Sequence, residues 1–473
     1  MARTAKKETA LTAEEKLAQA LVPDAEQPYQ VPENWCWTYI HAGFDVTSSK
    51  RVHKEDWLSE GIPFYRTREL VKLSENGYVD NELFISEELY NECKENYGVP
   101  SIGDLLISGV GTIGVPFVVN SEEPFYFKDG NVIWFKNKGL FLSQYIYYLY
   151  KSTFIYNQIH DMSAGTTVDT YTIINAIKTV VPLPPLAEQQ RIVDRIESLF
   201  AKLDEAKEKA QAVVDGFVDR KAAILHKAFT GVLTAGWRED NSISDSSWDK
   251  KRIDQISHPR AGYAFDSKKF TDHGFQIVRM GNLYGGSLDL SRSPVFISPE
   301  DIEEKAMNRS LINDGDILIT LTGTKYKRDY GYAVCVRGQK DLLVNQRILC
   351  LPPKETVITN YLLYYLQSNI FRDIFFSNET GGVNQGNVSS KFVEGIEIAL
   401  PPIKEQQKIV EILDRVFEKE TIALEAAEQV IDQIDTMKKA ILARAFRGEL
   451  GTNDPADESA EELLKRVLEM DDK

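Results

Sequence analysis

Apolar residues recur at alternating steps of four and three along two separate stretches of the chain. In the first they are Ile192, Ile196, Leu199, Leu203, Ala206, Ala210, Val213 and Phe217. In the second they are Ile409, Leu413, Val416, Ala423, Ala427, Val430, Ile434, Met437 and Ile441, interrupted only by Glu420. That spacing is the a/d seam of a coiled coil. Pro184–Pro185 and Pro401–Pro402 stand just ahead, where proline sets a helix start, and Gly231 and Gly448 stand behind as stops. The predicted helices are each about 42–45 residues, or roughly 65 Å, long at ~1.5 Å per residue. The small residues in mid-seam let two helices approach closely. The economical arrangement is one antiparallel coiled coil, a spacer of fixed length with a similar domain at each end; the less favoured alternative is two unrelated helices, each packed in its own domain.

Ahead of each helix the pattern changes. DLLIS (104–108), GVPFVVN (114–120), NVIWFK (131–136), FQIVRM (275–280), GDILIT (315–320) and YAVCVR (332–337) are β-branched or aromatic runs bounded by Gly, Pro, Asn or Asp. They read as strands. LSQYIYYLY (142–150) and YLLYYLQS (361–368) read as short buried helices. The fold class is therefore α/β in the α+β sense: two mixed domains and two long helices.

The chain also repeats itself. LPPLAEQQRIV (183–193) returns as LPPIKEQQKIV (400–410), and from Leu183–Gly231 against Leu400–Gly448 22 of 49 gapless pairs are identical. Weaker echoes precede each copy: Trp35 with Trp248, Arg66 with Arg279, and IGDLLIS (102–108) with DGDILIT (314–320). The order is domain, helix, domain, helix, a pseudo-two-fold repeat within one chain. The expected boundaries are 1–30 for an N-terminal extension, 31–182 for the first domain and 183–234 for the central helix. They continue as 235–399 for the second domain, 400–451 for the second helix and 452–473 for an acidic tail. The tail reads as a partner-binding helix or a solvated end, and the second reading is favoured.

Length supports this division, since 473 residues exceed the usual single domain. The net charge of −16 excludes a uniformly basic nucleic-acid binder but not local basic patches. Residues 31–182 sum to −7, whereas 238–399 sum to only −1. Four scattered cysteines without a CxxC pair fit a reducing cytosol better than a disulfide framework. No apolar run approaches the ~18–20 residues of a membrane helix, and the N-terminus does not read as a secretory signal.

Catalytic motifs are missing. The six histidines form no metal-binding spacing, GVGTIG (109–114) is not followed by Lys-Ser/Thr, and there is no GxSxG elbow. No metal site or catalytic residue is expected. Two loops look like binding surfaces instead. One is ISGVGTIG (107–114), with Ser108, Gly109, Gly111 and Thr112. The other is ITLTGTKYKRDYGY (319–332), with Thr322, Thr324, Lys325, Tyr326, Lys327 and Arg328. Basic side chains bind phosphates and Arg also reads guanine; Thr can meet a thymine methyl. Further DNA-binding candidates are Lys50, Arg51, Lys54, Arg66, Arg68, Lys268, Lys269 and Arg279. Asn384 and Gln385, in a turn matching SAGTTVDT (163–170), can read adenine. The plainer alternatives are a solvated hairpin tip for the second loop, ion-paired, structural arginines for the aligned Arg66 and Arg279, and, as the favoured reading for Asn384 and Gln385, a polar turn ahead of the linker to the long helix.

Two diverged domains, each followed by a Leu-Pro-Pro-Leu/Ile-x-Glu-Gln-Gln helix ending in Ala-Phe-x-Gly, resemble the specificity (S) subunit of Type I restriction-modification systems. The resemblance covers residues ~31–451. It implies a non-catalytic subunit of a cytoplasmic, nucleoid-associated bacterial or archaeal complex. Two target-recognition domains would read the halves of an asymmetric bipartite duplex DNA site. The conserved helices would set its spacing and dock two methyltransferase (M) subunits and, through them, two restriction (R) subunits. No cofactor is expected on this chain; S-adenosylmethionine, ATP and Mg belong to the partners, and no membrane contact is expected. Residues 1–30 would lie near the second conserved helix. The alternative from a different class is a coiled-coil scaffold that binds proteins rather than DNA.

Overall fold

The computed structural model describes residues 12–163, 169–244, 247–382 and 384–470. The chain divides into two compact units: residues up to Lys209 together with those from Gln429 onward, and Ala210–Glu428. Each unit holds one β-rich head and a portion of each long helix.

Each head is built on a four-stranded antiparallel sheet. In the first the order is Phe44–Thr47, Val132–Asn137, Leu105–Ser108, Pro116–Val118. In the second it is Arg260–Ala261, Ile348–Leu351, Ile317–Thr320, Ala333–Cys335. The central strands are buried on both sides because alternate residues meet different covers. Leu105, Ile107, Ile133 and Phe135 pack with Ile146, Leu149, Ile155 and Ile159 of the helices Ser143–Tyr150 and Thr153–Ser163. Their neighbours Leu106, Val132 and Trp134 pack with Leu70 and Phe127. The second head repeats this with Ile317, Ile319, Leu349 and Leu351 against Tyr361, Tyr365, Phe371 and Phe375. Leu318, Val334, Ile348 and Cys350 take the other face with Val278 and Leu283.

A smaller sheet supplies that second cover. Ile62–Tyr65 pairs antiparallel with Phe84–Ile85 and parallel with Tyr126–Phe127. Phe275–Val278 does the same with Phe296–Ile297 and Leu342–Val344. Each head closes where its first and last strands meet, Cys36–Tyr39 on Val180–Leu183 and Asp249–Arg252 on Glu397–Leu400.

The residues that mark the repeat fasten helix to head. Gln189 accepts from the Leu142 backbone N–H (2.8 Å) and donates to the Leu140 and Pro184 carbonyls (both 3.1 Å). Gln406 matches it, accepting from Ile358 N–H (2.9 Å) and donating to the Pro401 and Thr356 carbonyls (2.9 and 3.3 Å). Each glutamine thus caps the N-terminus of the helix packed on the sheet. Glu188 and Glu405 are both fully buried. Glu405 accepts from Arg238, Thr234 and the Trp248 indole at 2.7, 2.7 and 3.0 Å. Glu188 accepts from Arg191 and Thr452 at 2.8 and 2.7 Å.

Ile403–Ala445 is a single helix of 43 residues. Its repeat partner, expected to be continuous, is divided at Gly216 into Leu186–Asp215 and Phe217–Phe229. Arg220 folds back into the break: it donates to the Val213 carbonyl at 2.9 Å and pairs with Glu420 at 2.9 Å. A Cβ at Gly216 would stand 2.4 Å from the Arg220 Nη1, so glycine is needed for this inserted side chain. The matching residue of the other helix is Gln433, and no break occurs there. Within each unit the helices pair antiparallel. Lys207 meets Asp435 and Lys438 meets Asp204 in the first; Arg220 meets Glu420 in the second.

The expected seam is corrected in two places. Ile192, Ile196, Ile409 and Leu413 are fully buried, but they sit in the cores of the heads rather than in a two-helix seam. Leu199, Leu203, Val213 and Val416 are half-buried between the helices. Further along, Ile434 is buried, whereas Val430 is 40% exposed and Met437 46%. Leu424 and Ile431 take their places as half-buried positions. A strict 3.5-residue repeat drifts ~20° per heptad on a straight 3.6-residue helix. After several heptads the sequence seam has turned out of the interface.

The acidic tail, favoured as a solvated end, forms the helix Ala460–Met470. Ala460, Leu463, Leu464 and Val467 are buried in the core of the first head, and the helix packs on Ala13–Ala20. Its charges are paired outward, Glu458 with Arg466 and Glu461 with Lys465. The Tyr29 hydroxyl donates to the Phe446 carbonyl at 3.0 Å, so residues before and after both repeats share one core.

Candidate nucleic-acid interface

Two clefts occupy the same place in the two heads. The first, of about 630 Å³, is lined by Arg66, Thr67, Arg68, Val71, Lys72, Val110, Gly111, Thr112 and Asn131. The second, of about 430 Å³, is lined by Arg279, Met280, Gly281, Asn282, Arg292, Ser293, Asn345, Gln346 and Arg347. Each is bounded by the residues that follow the middle strand of the small sheet and by the loop that leads into Val132–Asn137 or Ile348–Leu351.

Arg66 and Arg279 each end that middle strand and start the helical turn after it, but with different chemistry. The Arg66 backbone N–H donates to Glu69 (3.0 Å), and its guanidinium holds the same carboxylate (2.8 Å). Arg68 adds a contact to Glu69 (2.9 Å) and another to Glu82 (2.6 Å). Glu69 is 1% exposed. Its burial pushes the carboxyl pKa up, but the hydrogen bonds from Arg66 and Arg68 outweigh that and hold it down at about 2. Arg279 has an amide in place of the carboxylate: its backbone N–H donates to Asn282 Oδ1 (2.9 Å). Its guanidinium donates to the Ser293 carbonyl. Arg292 lies 5.3 Å from the Tyr284 ring, and Arg347 is exposed. No carboxylate lines the second cleft.

The glycine loop of the first head is shaped by Ser108, which is buried rather than available to a ligand. Its hydroxyl donates to the Thr112 carbonyl and accepts from the Val115 N–H (2.8 Å). Gly109 is pinned between Asn131 and Tyr171, where a Cβ would lie 2.8 Å from the Tyr171 carbonyl. Gly111, at φ 82°, and Thr112 form the exposed tip at the cleft.

In the second head Thr322 is also buried, with its hydroxyl on the Met280 sulfur at the cleft wall. It pairs with Asn387, which brings the loop beside the turn that carries the exposed Asn384 and Gln385. The basic side chains of the loop are partly engaged. Lys325 donates to the Gly381 carbonyl (2.9 Å), and Arg328 pairs with Asp373 (2.6 Å) over the Phe376 ring. Thr324 N–H donates to Asp329 (2.8 Å), and Tyr330 is buried with its hydroxyl on Glu379 (2.8 Å). Tyr326 is 81% exposed, and it and Arg328 adopt left-handed backbone, at φ 66° and 53°. Lys327 is exposed at the tip. Such backbone is held only where the surroundings over-determine it.

The remaining candidates stand outside both clefts. Lys50 lies over the Tyr97 ring at 5.1 Å, Arg51 pairs with Asp129 at 2.9 Å, and Lys54 sits on the turn Lys54–Asp56. Lys268 and Lys269 sit on the matching turn Ser267–Lys269. Some of SAGTTVDT (163–170) lies outside the described residues. Lys72, Asn131, Arg292, Asn345, Gln346 and Arg347 were not singled out from the sequence. Extending the repeat by a few residues aligns Asn131 with Arg347 and was the available signal. Among the described residues no group of His, Cys, Asp and Glu could hold a metal ion, and no helix is long and apolar enough to cross a membrane.

The family described as "Type I restriction modification DNA specificity domain" matches residues 44–214 and 245–435. The chain is 24% identical over 316 residues to the Type I restriction enzyme EcoKI specificity subunit of Escherichia coli (strain K12), covering 66% of each chain, just under two thirds of that relative's length. It is 34% identical over 165 residues to a putative type I restriction enzyme specificity subunit of Haemophilus influenzae, covering 34% of this chain and 40% of that one. The fold resembles the crystal structure of the HsdS subunit from Thermoanaerobacter tengcongensis, with TM-score 0.63, 18% identity, and coverage of 90% of this chain and all of that one.

Proposed function

The chain belongs to the Type I restriction modification DNA specificity domain family, and from that premise we propose that it is the non-catalytic subunit that reads the target of a cytoplasmic, nucleoid-associated restriction-modification complex. Each head contacts one half of a bipartite duplex site. Because the two clefts differ in sequence, the halves differ and the site is asymmetric. The paired helices set the gap and dock two methyltransferase subunits, through which restriction subunits join. S-adenosylmethionine, ATP and Mg are held by those partners.

The observation that carries this reading is the recurrence of a polar, arginine-bearing cleft at the same place in both repeats, with no carboxylate in the second. Arginine binds phosphate and, bidentately, guanine; Asn and Gln pair with adenine. The test is selection from random duplex DNA by the chain assembled with its methyltransferase partner, at stated salt. Two different short motifs at a fixed gap are expected. An intact complex that selects no motif sinks the reading in favour of a protein scaffold.

A further inference from the structure

The internal repeat provides a control for each side chain of the long helices. Lys221 and Lys438 are equivalent, as are Phe417 and Phe200. Each ammonium lies over its ring, Lys438 at 5.0 Å from the Phe200 centroid and Lys221 at 5.4 Å from that of Phe417. The copies differ a single turn further along. Asp204 follows Phe200 and takes Lys438 in an ion pair. The equivalent residue after Phe417 is Thr421, which has no charge to offer. Among the described residues nothing compensates Lys221, and burial alone pushes its ammonium below the ordinary lysine range.

Lys221 opens instead onto a cleft of about 400 Å³ that Val218, Ala222, Tyr332, Gln367 and Arg372 also line. Val218 is 71% exposed there. Arg372 spends its donors on the carbonyls of Arg328, Tyr330 and Gly331, which leaves its positive charge without a direct ion pair. Asp219 is in the rim, but residues two apart on a helix do not face one another. A half-buried cation without a counter-charge is costly, and a carboxylate placed beside it relieves that cost.

We propose that this cleft receives an acidic side chain of the methyltransferase partner, whose carboxylate pairs with Lys221 from the cleft side and so supplies the counter-charge that Lys438 finds within the chain in Asp204. Val218, Ala222 and Leu225 offer aliphatic surface to the stem of a Glu or Asp on a peptide, and Lys221 and Arg372 offer charge to its carboxylate. The identity of the partner, though not the missing carboxylate, rests on the function proposed above.

The experiment is zero-length carbodiimide coupling of the assembled specificity–methyltransferase complex, with cross-linked peptides mapped by mass spectrometry. Lys438 joined to Asp204 serves as the internal standard. Lys221 is expected to join one Asp or Glu of the methyltransferase. Thr421→Asp supplies the carboxylate within the chain; it should abolish that cross-link and weaken assembly about ten-fold without lowering Tm. Lys221→Met keeps the apolar stem and should weaken assembly similarly. A complex that assembles with Lys221 unlinked, and with both variants binding as tightly as the native chain, overturns this occupant and leaves the proposed function standing. Protection of Lys221 by duplex DNA without the partner assigns the site to a phosphate and also overturns it. A chain that does not assemble with the methyltransferase overturns both.

Discussion

The two clefts start from an aligned arginine and reach opposite electrostatic ends. In the first head Arg66 and Arg68 share the buried Glu69, so their charge is largely consumed in holding the turn together. In the second head Asn282 does the structural work at Arg279, and Arg279, Arg292 and Arg347 line a cleft with no carboxylate among its lining residues, although Asp289 stands near Arg292 behind it. The same position in a repeat can therefore be scaffold in one copy and contact surface in the other. What decides is whether the residue three places on is an acid or an amide.

The sharpest way to break this comparison is Glu69→Ala. It removes the buried acceptor of charged hydrogen bonds, while Arg66 and Arg68, 29% and 51% exposed, can turn to water, so it should destabilise the first head by about 2–3 kcal/mol. Asn282→Ala should cost about 1–2 kcal/mol by losing neutral hydrogen bonds. Thermal unfolding of the full chain distinguishes them, and equal losses refute the difference. Acid titration asks the same question without mutation. Glu69 is held at about 2 in the folded chain against 4.5 for a free carboxyl, so its stabilisation is fully present above pH ~4.5. It is lost as pH falls toward 2 and amounts to roughly 3 kcal/mol at most. The first head should unfold ahead of the second over that interval, and Glu69→Gln should remove the order.

Binding sharpens the contrast next. Arg347→Ala should weaken the complex with its selected DNA by about 1–3 kcal/mol and relax discrimination within one half-site if it reads a base. If it meets phosphate, the loss should be uniform and the salt slope should fall by about one. Arg66→Ala should lower Tm more than affinity. The smallest effect is expected in the helices. Gly216→Ala gains about 1 kcal/mol of helix propensity but displaces Arg220 from Val213 and Glu420, so net stability should move by less than about 1 kcal/mol. A double-mutant cycle between Arg220 and Glu420 should then read zero coupling in the alanine background.

Local patterns made much of the fold legible. Val132–Asn137, Leu105–Ser108 and Ile317–Thr320 sit in runs whose β-branched content announces them, and the repeat exposed the pseudo-symmetry. The Glu-Gln-Gln motif was visible as a signature, but not what it does. Gln189 caps a helix that starts at residue 143, and Glu405 gathers Arg238 and Trp248 from far upstream. Such pairings carry no local trace. The seam was legible until the drift between 3.5 and 3.6 residues per turn carried Val430 out of it. The final helix was obscured by its charge, although Ala460, Leu463, Leu464 and Val467 share one face. In the clefts, Arg66, Arg68, Arg279, Gly111 and Thr112 were found from residue type and alignment. Asn131 and Arg347 were missed because they sit in short loops with no distinguishing composition.

The core of the first head draws Leu442, Ala445, Phe446, Leu463, Leu464 and Val467 from the far end of the chain, while the second unit is one unbroken segment. On the ribosome this inverts the order of maturation. At ~5–20 residues per second, the interval between synthesis of Lys209 and of the last core residues is about 13–50 s. Through that interval Ile192 and Ile196 wait without their cover, while the second unit, begun later, is already complete. The first domain to emerge is the last to finish, which makes it the one most in need of a chaperone during translation.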